Sequence, residues 1–99
     1  MKLSNYARGR RGEYTVRDKY KRRGYDVTRA AGSKGAADLI ASNDQEIVFV
    51  QVGLVGKNVK AAREKMLTLR TPAIPQVRKV IWKQRADGSW DEIDLAIPF

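Results

Sequence analysis

The segment Glu46 to Val52, EIVFVQV, is a near-continuous β-rich apolar run, and it limits the fold more than any other stretch of this chain. Ser42-Asn43-Asp44-Gln45 just before it is hairpin-turn material, so the preceding Ala37 to Ala41 (ADLIA) is expected to lie beside it as a second strand. Tyr25 to Ala30 (YDVTRA) alternates and supplies a third, separated from ADLIA by the small-residue loop Ala31 to Gly35. Lys57 to Arg70 carries Val59, Arg63, Met66 and Leu69 or Leu67 at helical spacing, and Thr71-Pro72 is expected to stop it. Val77 to Lys83 (VRKVIWK) alternates into a strand, Asp87-Gly88 reads as a turn, and Trp90 to Leu95 returns as the last strand. At the other end, Arg10 to Arg23 reads as a helix closed by Gly24, where glycine can take the left-handed conformation. The expected order is αβββαββ, an α/β fold with a central sheet flanked by helices and no internal repeat.

Ninety-nine residues, 42% apolar and 31% charged, are expected to form one globular domain over 1–99. There are 20 Lys and Arg against 11 Asp and Glu, a net charge of +9, which points to a polyanionic partner. The excess is N-terminal. Residues 1–34 hold 11 Lys or Arg against Glu13, Asp18 and Asp26, whereas the remaining 65 residues hold 9 against 8. Arg8, Arg10, Arg11, Arg17, Lys19, Lys21, Arg22 and Arg23 are dense enough to neutralise several phosphates, although a solvated helix face has the same composition. With no Cys and no His, disulfides, zinc fingers, haem ligation, thiol nucleophiles and imidazole bases are excluded, so any metal must be oxygen-bound. The apolar runs fall far short of the ~20 residues a membrane helix needs, no secretory pattern opens the chain, and a cytoplasmic or nucleoid-associated location is expected.

Two carboxylates stand out. Glu13 heads the inward stripe Glu13, Val16, Tyr20, where a charge is unexpected. A bland explanation is the helix dipole together with a pair to Arg17 one turn on. Asp38 opens the apolar run Leu39-Ile40-Ala41, and a carboxylate buried there needs a cation or several donors. The alternative is an exposed aspartate capping the preceding loop. Gln51 lies in the adjoining strand, so a hairpin through Asp44 brings two oxygen-bearing side chains together. Mg²⁺ prefers oxygen ligands and commonly takes one or two carboxylates with water and substrate phosphate, which Asp38 and Glu13 can satisfy. Metal-assisted hydrolysis is the one hydrolytic mechanism this composition readily supports.

Taken together, Glu13 in a basic first helix, Gly24-Tyr25-Asp26-Val27-Thr28-Arg29, Ala31-Gly32-Ser33-Lys34, Ala37-Asp38-Leu39-Ile40 and Val48-Phe49-Val50-Gln51-Val52 resemble the archaeal Holliday junction resolvases of the PD-(D/E)XK nuclease superfamily. The resemblance runs from about residue 9 to 70, more loosely beyond. It implies a restriction-endonuclease-like fold and a homodimeric endonuclease, dependent on Mg²⁺ with Mn²⁺ as an alternative, that cuts four-way DNA junctions in recombination and repair. By the same resemblance, Asp38 falls on the metal-binding aspartate, Glu13 on the helical glutamate completing the site, and Ser33 on a loop serine close to the scissile phosphate. Arg29 and Lys34 match basic positions near the DNA backbone, and the Val52 carbonyl matches a metal ligand. Gln51 stands where the family usually has glutamate and still offers an amide oxygen. Gly53 stands where it has the catalytic lysine and offers no ammonium. Lys57 and Lys60 follow closely enough to reach back if the second helix starts near the strand end; a solvated face is the other option.

Two functions from different classes follow. One is a structure-selective, metal-dependent endonuclease of the junction-resolving type, impaired by Gly53. The other is an inactive nuclease-fold protein that binds branched or duplex DNA. An RNA-binding basic domain is more distant, because Tyr14, Tyr20, Phe49 and Trp82 fall mostly on expected core faces and leave few rings for stacking. Paired cuts in a junction require a two-fold dimer, for which Met66, Leu67, Leu69, Ile74 and the tail Ile97-Pro98-Phe99 are candidates, unless the tail packs on its own domain.

Overall fold

The computed structural model describes residues 5–30, 37–53 and 59–96, with residues 5–9 described by their backbone alone. Seven elements follow in the order α1 (Asn5–Arg22), β1 (Asp26–Arg29), β2 (Leu39–Ser42), β3 (Ile47–Gly53), α2 (Val59–Thr68), β4 (Val77–Gln84) and β5 (Trp90–Asp94). They build a mixed five-stranded sheet in the spatial order β1-β2-β3-β4-β5. β1 to β3 form an antiparallel meander, α2 carries the chain across to a parallel β4, and β5 returns antiparallel. Among the described residues no helix is long and apolar enough to cross a membrane.

The two helices cover different sets of sheet residues, and strand alternation explains which. Val48 and Val50 of β3, with Leu39 and Ala41 of β2 and Val80 and Trp82 of β4, pack with Val16 and Tyr20 of α1. Phe49, Ile81 and Ile93 pack instead with Met66, Val59 and Ala62 of α2 and with Leu69 just beyond its end. Because β4 is covered on both faces, Val80, Ile81 and Trp82 are all buried, and the alternation read in VRKVIWK is replaced there by a continuous buried run. Leu69 turns inward while Leu67 stays 47% exposed, so Leu69 is the residue that completes the inward stripe. Met66 is fully buried in its own chain, which removes it from the expected dimer face; Leu67 and Ile74 remain exposed, and Ile97-Pro98-Phe99 lie outside the described residues.

Local chemistry sets the ends of the elements. Gly24 has φ of 89°, the Gly24 N–H bonds the Lys21 carbonyl, and the Tyr25 N–H reaches back to the Tyr20 carbonyl. This is a Schellman cap, and the edge-to-face Tyr20–Tyr25 ring contact at 5.3 Å is its usual apolar companion. The β2–β3 turn is held by Asn43, whose side-chain oxygen accepts the N–H groups of Gln45 and Glu46. α2 ends at Thr68, before Thr71-Pro72, where Lys79 Nζ on β4 bonds the Leu69 carbonyl at 2.6 Å. The β4–β5 turn has Gly88 at φ of 90°, with Asp87 accepting from the Ser89 N–H and hydroxyl.

α1 starts at Asn5, five residues before the expected Arg10. Glu13 therefore sits in the middle of the helix, away from the N-terminal turn where a dipole would favour it. Tyr14, expected in the core, is 43% exposed with the Arg17 guanidinium 4.8 Å above its ring. It follows Glu13 by one residue and so leaves the Glu13–Val16–Tyr20 stripe by about 100°.

Candidate active site at the C-terminal end of β3

The antiparallel register pairs Leu39 with Val50 and Ile40 with Phe49, so the turn through Asp44 delivers Asp38 to the end of β3. There Asp38 brackets Gln51: its backbone N–H bonds the Val50 carbonyl at 2.7 Å, and its carboxylate oxygen Oδ2 accepts the Val52 N–H at 2.8 Å. The Asp38 carbonyl in turn accepts from Ala30, tying the residue to the end of β1 as well. Asp38 is half-buried and its carboxylate is bonded into the sheet, so it is not an exposed residue at the strand start.

Glu13 reaches the same region from α1. Its side chain is 17% exposed, and its carboxylate accepts the Arg29 Nε at 3.1 Å. Arg17, the partner expected from helical spacing, pairs instead with the adjacent Asp18 at 3.1 Å. Asp38 lies in the fields of both Glu13 and Arg29. Burial pushes its carboxyl above the usual aspartate range; the Val52 N–H opposes this, Glu13 reinforces it and Arg29 opposes it. Two carboxylates and one guanidinium thus share this end of the sheet, with Arg29 offsetting the repulsion.

Gln51 contributes a different feature. Its side-chain oxygen Oε1 is buried and has no hydrogen-bond partner among the described residues. A buried acceptor left in this way is costly, of order 1–3 kcal/mol, and is explained at a site that receives a cation or a donor. The donors gathered here are all oxygens, which fits a hard divalent ion such as Mg²⁺ or Mn²⁺. Among the described residues no group of three or more His, Cys, Asp or Glu gathers, so the amide oxygen of Gln51 would be needed beside the carboxylates of Asp38 and Glu13.

The other expected site residues are distributed as follows. Val52 is present through its N–H, engaged by Asp38. Gly53 closes β3 with ordinary backbone geometry; among the described residues a Cβ built there would meet only the Trp82 carbonyl oxygen, at 3.7 Å, an ordinary contact. Arg29, expected at the DNA backbone, is held by Glu13. Arg11 is exposed on α1, Arg10 is partly buried, and Lys60 is exposed at the start of α2. Ser33, Lys34, Lys57 and the side chain of Arg8 lie outside the described residues. Sequence reasoning gave no role to Lys83, which the parallel register pairs with Gly53. Its signal was the register of β3 against β4, which a single strand pattern does not contain.

No protein-family model matches this chain, and no curated protein matches it. Among solved structures it is similar to Hjc of Archaeoglobus fulgidus, a Holliday junction resolvase from an archaeal hyperthermophile. That similarity has a TM-score of 0.67 at 16% identity and covers 90% of this chain and 74% of the other. The class defined by these observations is a mixed five-stranded α/β fold similar to that of the Hjc structure, with Asp38, Glu13 and Arg29 brought together at one end of its central sheet.

Proposed function

We propose that this protein is a structure-selective DNA endonuclease of the junction-resolving type, built as one domain of the PD-(D/E)XK kind and acting as a homodimer on four-way or other branched DNA. The observation that carries this reading is the end of β3, where the half-buried Asp38 lies in the fields of Glu13 and Arg29 and is bonded to the backbone on either side of Gln51, whose buried side-chain oxygen has no partner among the described residues, in a fold similar to that of a Holliday junction resolvase. Asp38, Glu13 and Gln51, with the Val52 carbonyl, would hold Mg²⁺ or Mn²⁺. When bound, the ion supplies Lewis-acid polarisation of a phosphate and a water of lowered pKa. Asp38 is positioned for this by the Val52 N–H, and Arg29 keeps Glu13 and Asp38 from repelling each other before a cation arrives. The basic face of α1, Arg8, Arg10 and Arg11 foremost, together with Lys34, Lys57 and Lys60, gathers the DNA through its phosphates. Ser33 would serve as the loop serine acting close to the cleaved bond.

A second reading, a protein that binds branched DNA without cutting it, is favoured by Gly53, which places no ammonium on β3. One experiment separates the two. Purified protein and a Gly53→Lys version are incubated with a labelled four-way junction and a matched linear duplex, in Mg²⁺, in Mn²⁺ and in EDTA. Metal-dependent cutting of the junction by the unaltered protein is the expected result. Binding without cutting, with cleavage gained in Gly53→Lys, establishes the second reading. Absence of both binding and cutting removes the junction as substrate.

A further inference from the structure

The end of the sheet that carries Asp38 and Gln51 has a cation one strand away. In the parallel ladder Gly53 pairs with Lys83, and in the antiparallel ladder Lys83 pairs with Asp91, giving one row Gly53–Lys83–Asp91 across three strands. Residues paired directly across a sheet share a face, and residues two apart on a strand do so too, so Lys83 stands on the face that Gln51 and Gly53 share. Paired Cα atoms of neighbouring strands are about 5 Å apart, well within the length of a lysine side chain. Gly53 puts no side chain in the way, and among the described residues the position beside it is open apart from the Trp82 carbonyl.

Among the described residues Lys83 forms no salt bridge, although its charge contributes to holding the Asp91 carboxyl low. Asp91, its partner on β5, is gripped by the Arg85 fork at 2.6 and 2.9 Å, and that bond is the main reason the Asp91 carboxyl is held below the usual range. Arg29, the guanidinium whose field reaches Asp38, is paired with Glu13. A phosphodiester drawn to this end would meet two carboxylates and need a compensating cation as negative charge grows on its oxygens. Building on the nuclease reading above, we propose that Lys83 contacts the DNA phosphate seated against the Asp38–Gln51 end of β3, delivering from β4 the ammonium that Gly53 does not deliver from β3.

The test uses the full chain with a four-way junction in EDTA, where binding is read without metal or chemistry. Affinity is measured across a salt series for the unaltered protein, Lys83→Met, Lys83→Arg and the double variant Lys83→Met/Gly53→Lys, with thermal melts to confirm folding. Lys65→Met on the exposed face of α2 is the control. Lys83→Met is expected to lower the slope of log K against log salt by about 0.9, the value of one phosphate contact. Lys83→Arg and the double variant are expected to restore the slope, and Lys65→Met to leave it unchanged. Cleavage in Mg²⁺ at saturating junction should fall about 10²-fold or more in Lys83→Met and recover in the double variant. An unchanged slope in Lys83→Met, or no recovery from a lysine at position 53, overturns the proposal. If the unaltered protein cuts and Lys83→Met cuts equally well, Lys83 is excluded while the nuclease reading stands. If nothing cuts but the slope is lost and recovered as stated, the nuclease reading falls and the phosphate contact stands.

Discussion

Tyr20→Phe isolates the bond that seats α1 on the sheet. The Trp82 indole Nε1–H donates to the Tyr20 hydroxyl at 2.9 Å, and the two residues are 3% and 1% exposed. An indole has one donor and no alternative, so removing the hydroxyl leaves that N–H unpaired in the core. The edge-to-face contacts of the Tyr20 ring with Tyr25 at 5.3 Å and Trp82 at 5.7 Å do not need the oxygen and should survive. The loss is then a single buried bond plus the desolvation of its orphaned donor, about 1–3 kcal/mol. For a domain of this size that lowers the melting temperature by roughly 5–15 °C. Burial holds the Tyr20 phenol up at about 12, so the hydroxyl keeps its proton and the loss should be flat from mildly acidic to mildly alkaline pH. Denaturant melts of Tyr20→Phe, Trp82→Phe and the double variant measure the coupling directly, expected at about 1 kcal/mol. Additive losses, or a Tyr20→Phe effect below about 0.5 kcal/mol, would refute the seating role given to this bond.

Three further outcomes follow from the same structure. Gly24→Ala meets open space but a φ of 89°, so its cost is backbone strain alone, about 1–2 kcal/mol by denaturant melts; an unchanged midpoint would contradict the Schellman cap. Asp38→Asn should raise the melting temperature near pH 7 and abolish any cleavage. The sign follows from burial raising the folded-state pKa: the folded chain holds this proton more tightly than the unfolded one, so stability falls as pH climbs from the ordinary aspartate value through the folded one. The advantage of Asp38→Asn should therefore shrink on acidification, and one that grows instead reverses the assignment. In an NMR titration of the Asp38 carboxyl, Arg29→Met should move the midpoint up and Glu13→Gln should move it down, because Arg29 opposes and Glu13 reinforces the upward shift; shifts in a common direction would break the cluster.

Much of the arrangement was legible in the chain because local chemistry decides it. The turn residues Asn43 and Gly88, the capping Gly24 and the β-rich run of β3 each act over a few positions, and they place seven elements in order. The hairpin through Asp44 has a register tied to its turn, and for that reason the strand order alone sets Asp38 beside the end of β3, where it bonds the backbone on either side of Gln51. One boundary moved where local signals conflict. α1 extends back to Asn5 through Tyr6-Ala7-Arg8-Gly9, where Ser4 and Asn5 are residue types that favour a helix start but Gly9 is a poor helix former between them and Arg10.

What only the tertiary structure decided are the pairings between segments distant in the chain. Helical spacing offered Arg17 to Glu13, yet packing α1 against β1 gives it Arg29, while Arg17 pairs with its neighbour Asp18. Whether Met66 faced a partner or its own core depended on the sheet face that α2 covers. The pairing of Gly53 with Lys83 depended on the register of two parallel strands joined by a helical crossover, and no turn ties that register to neighbouring residues. The sequence by itself therefore determined the elements, the basic N-terminal face and the two acidic positions, all set by neighbours along the chain. The charge environment of those acids and the cation standing opposite Gly53 were decided only by folding, because they arise between strands and helices that meet across the core.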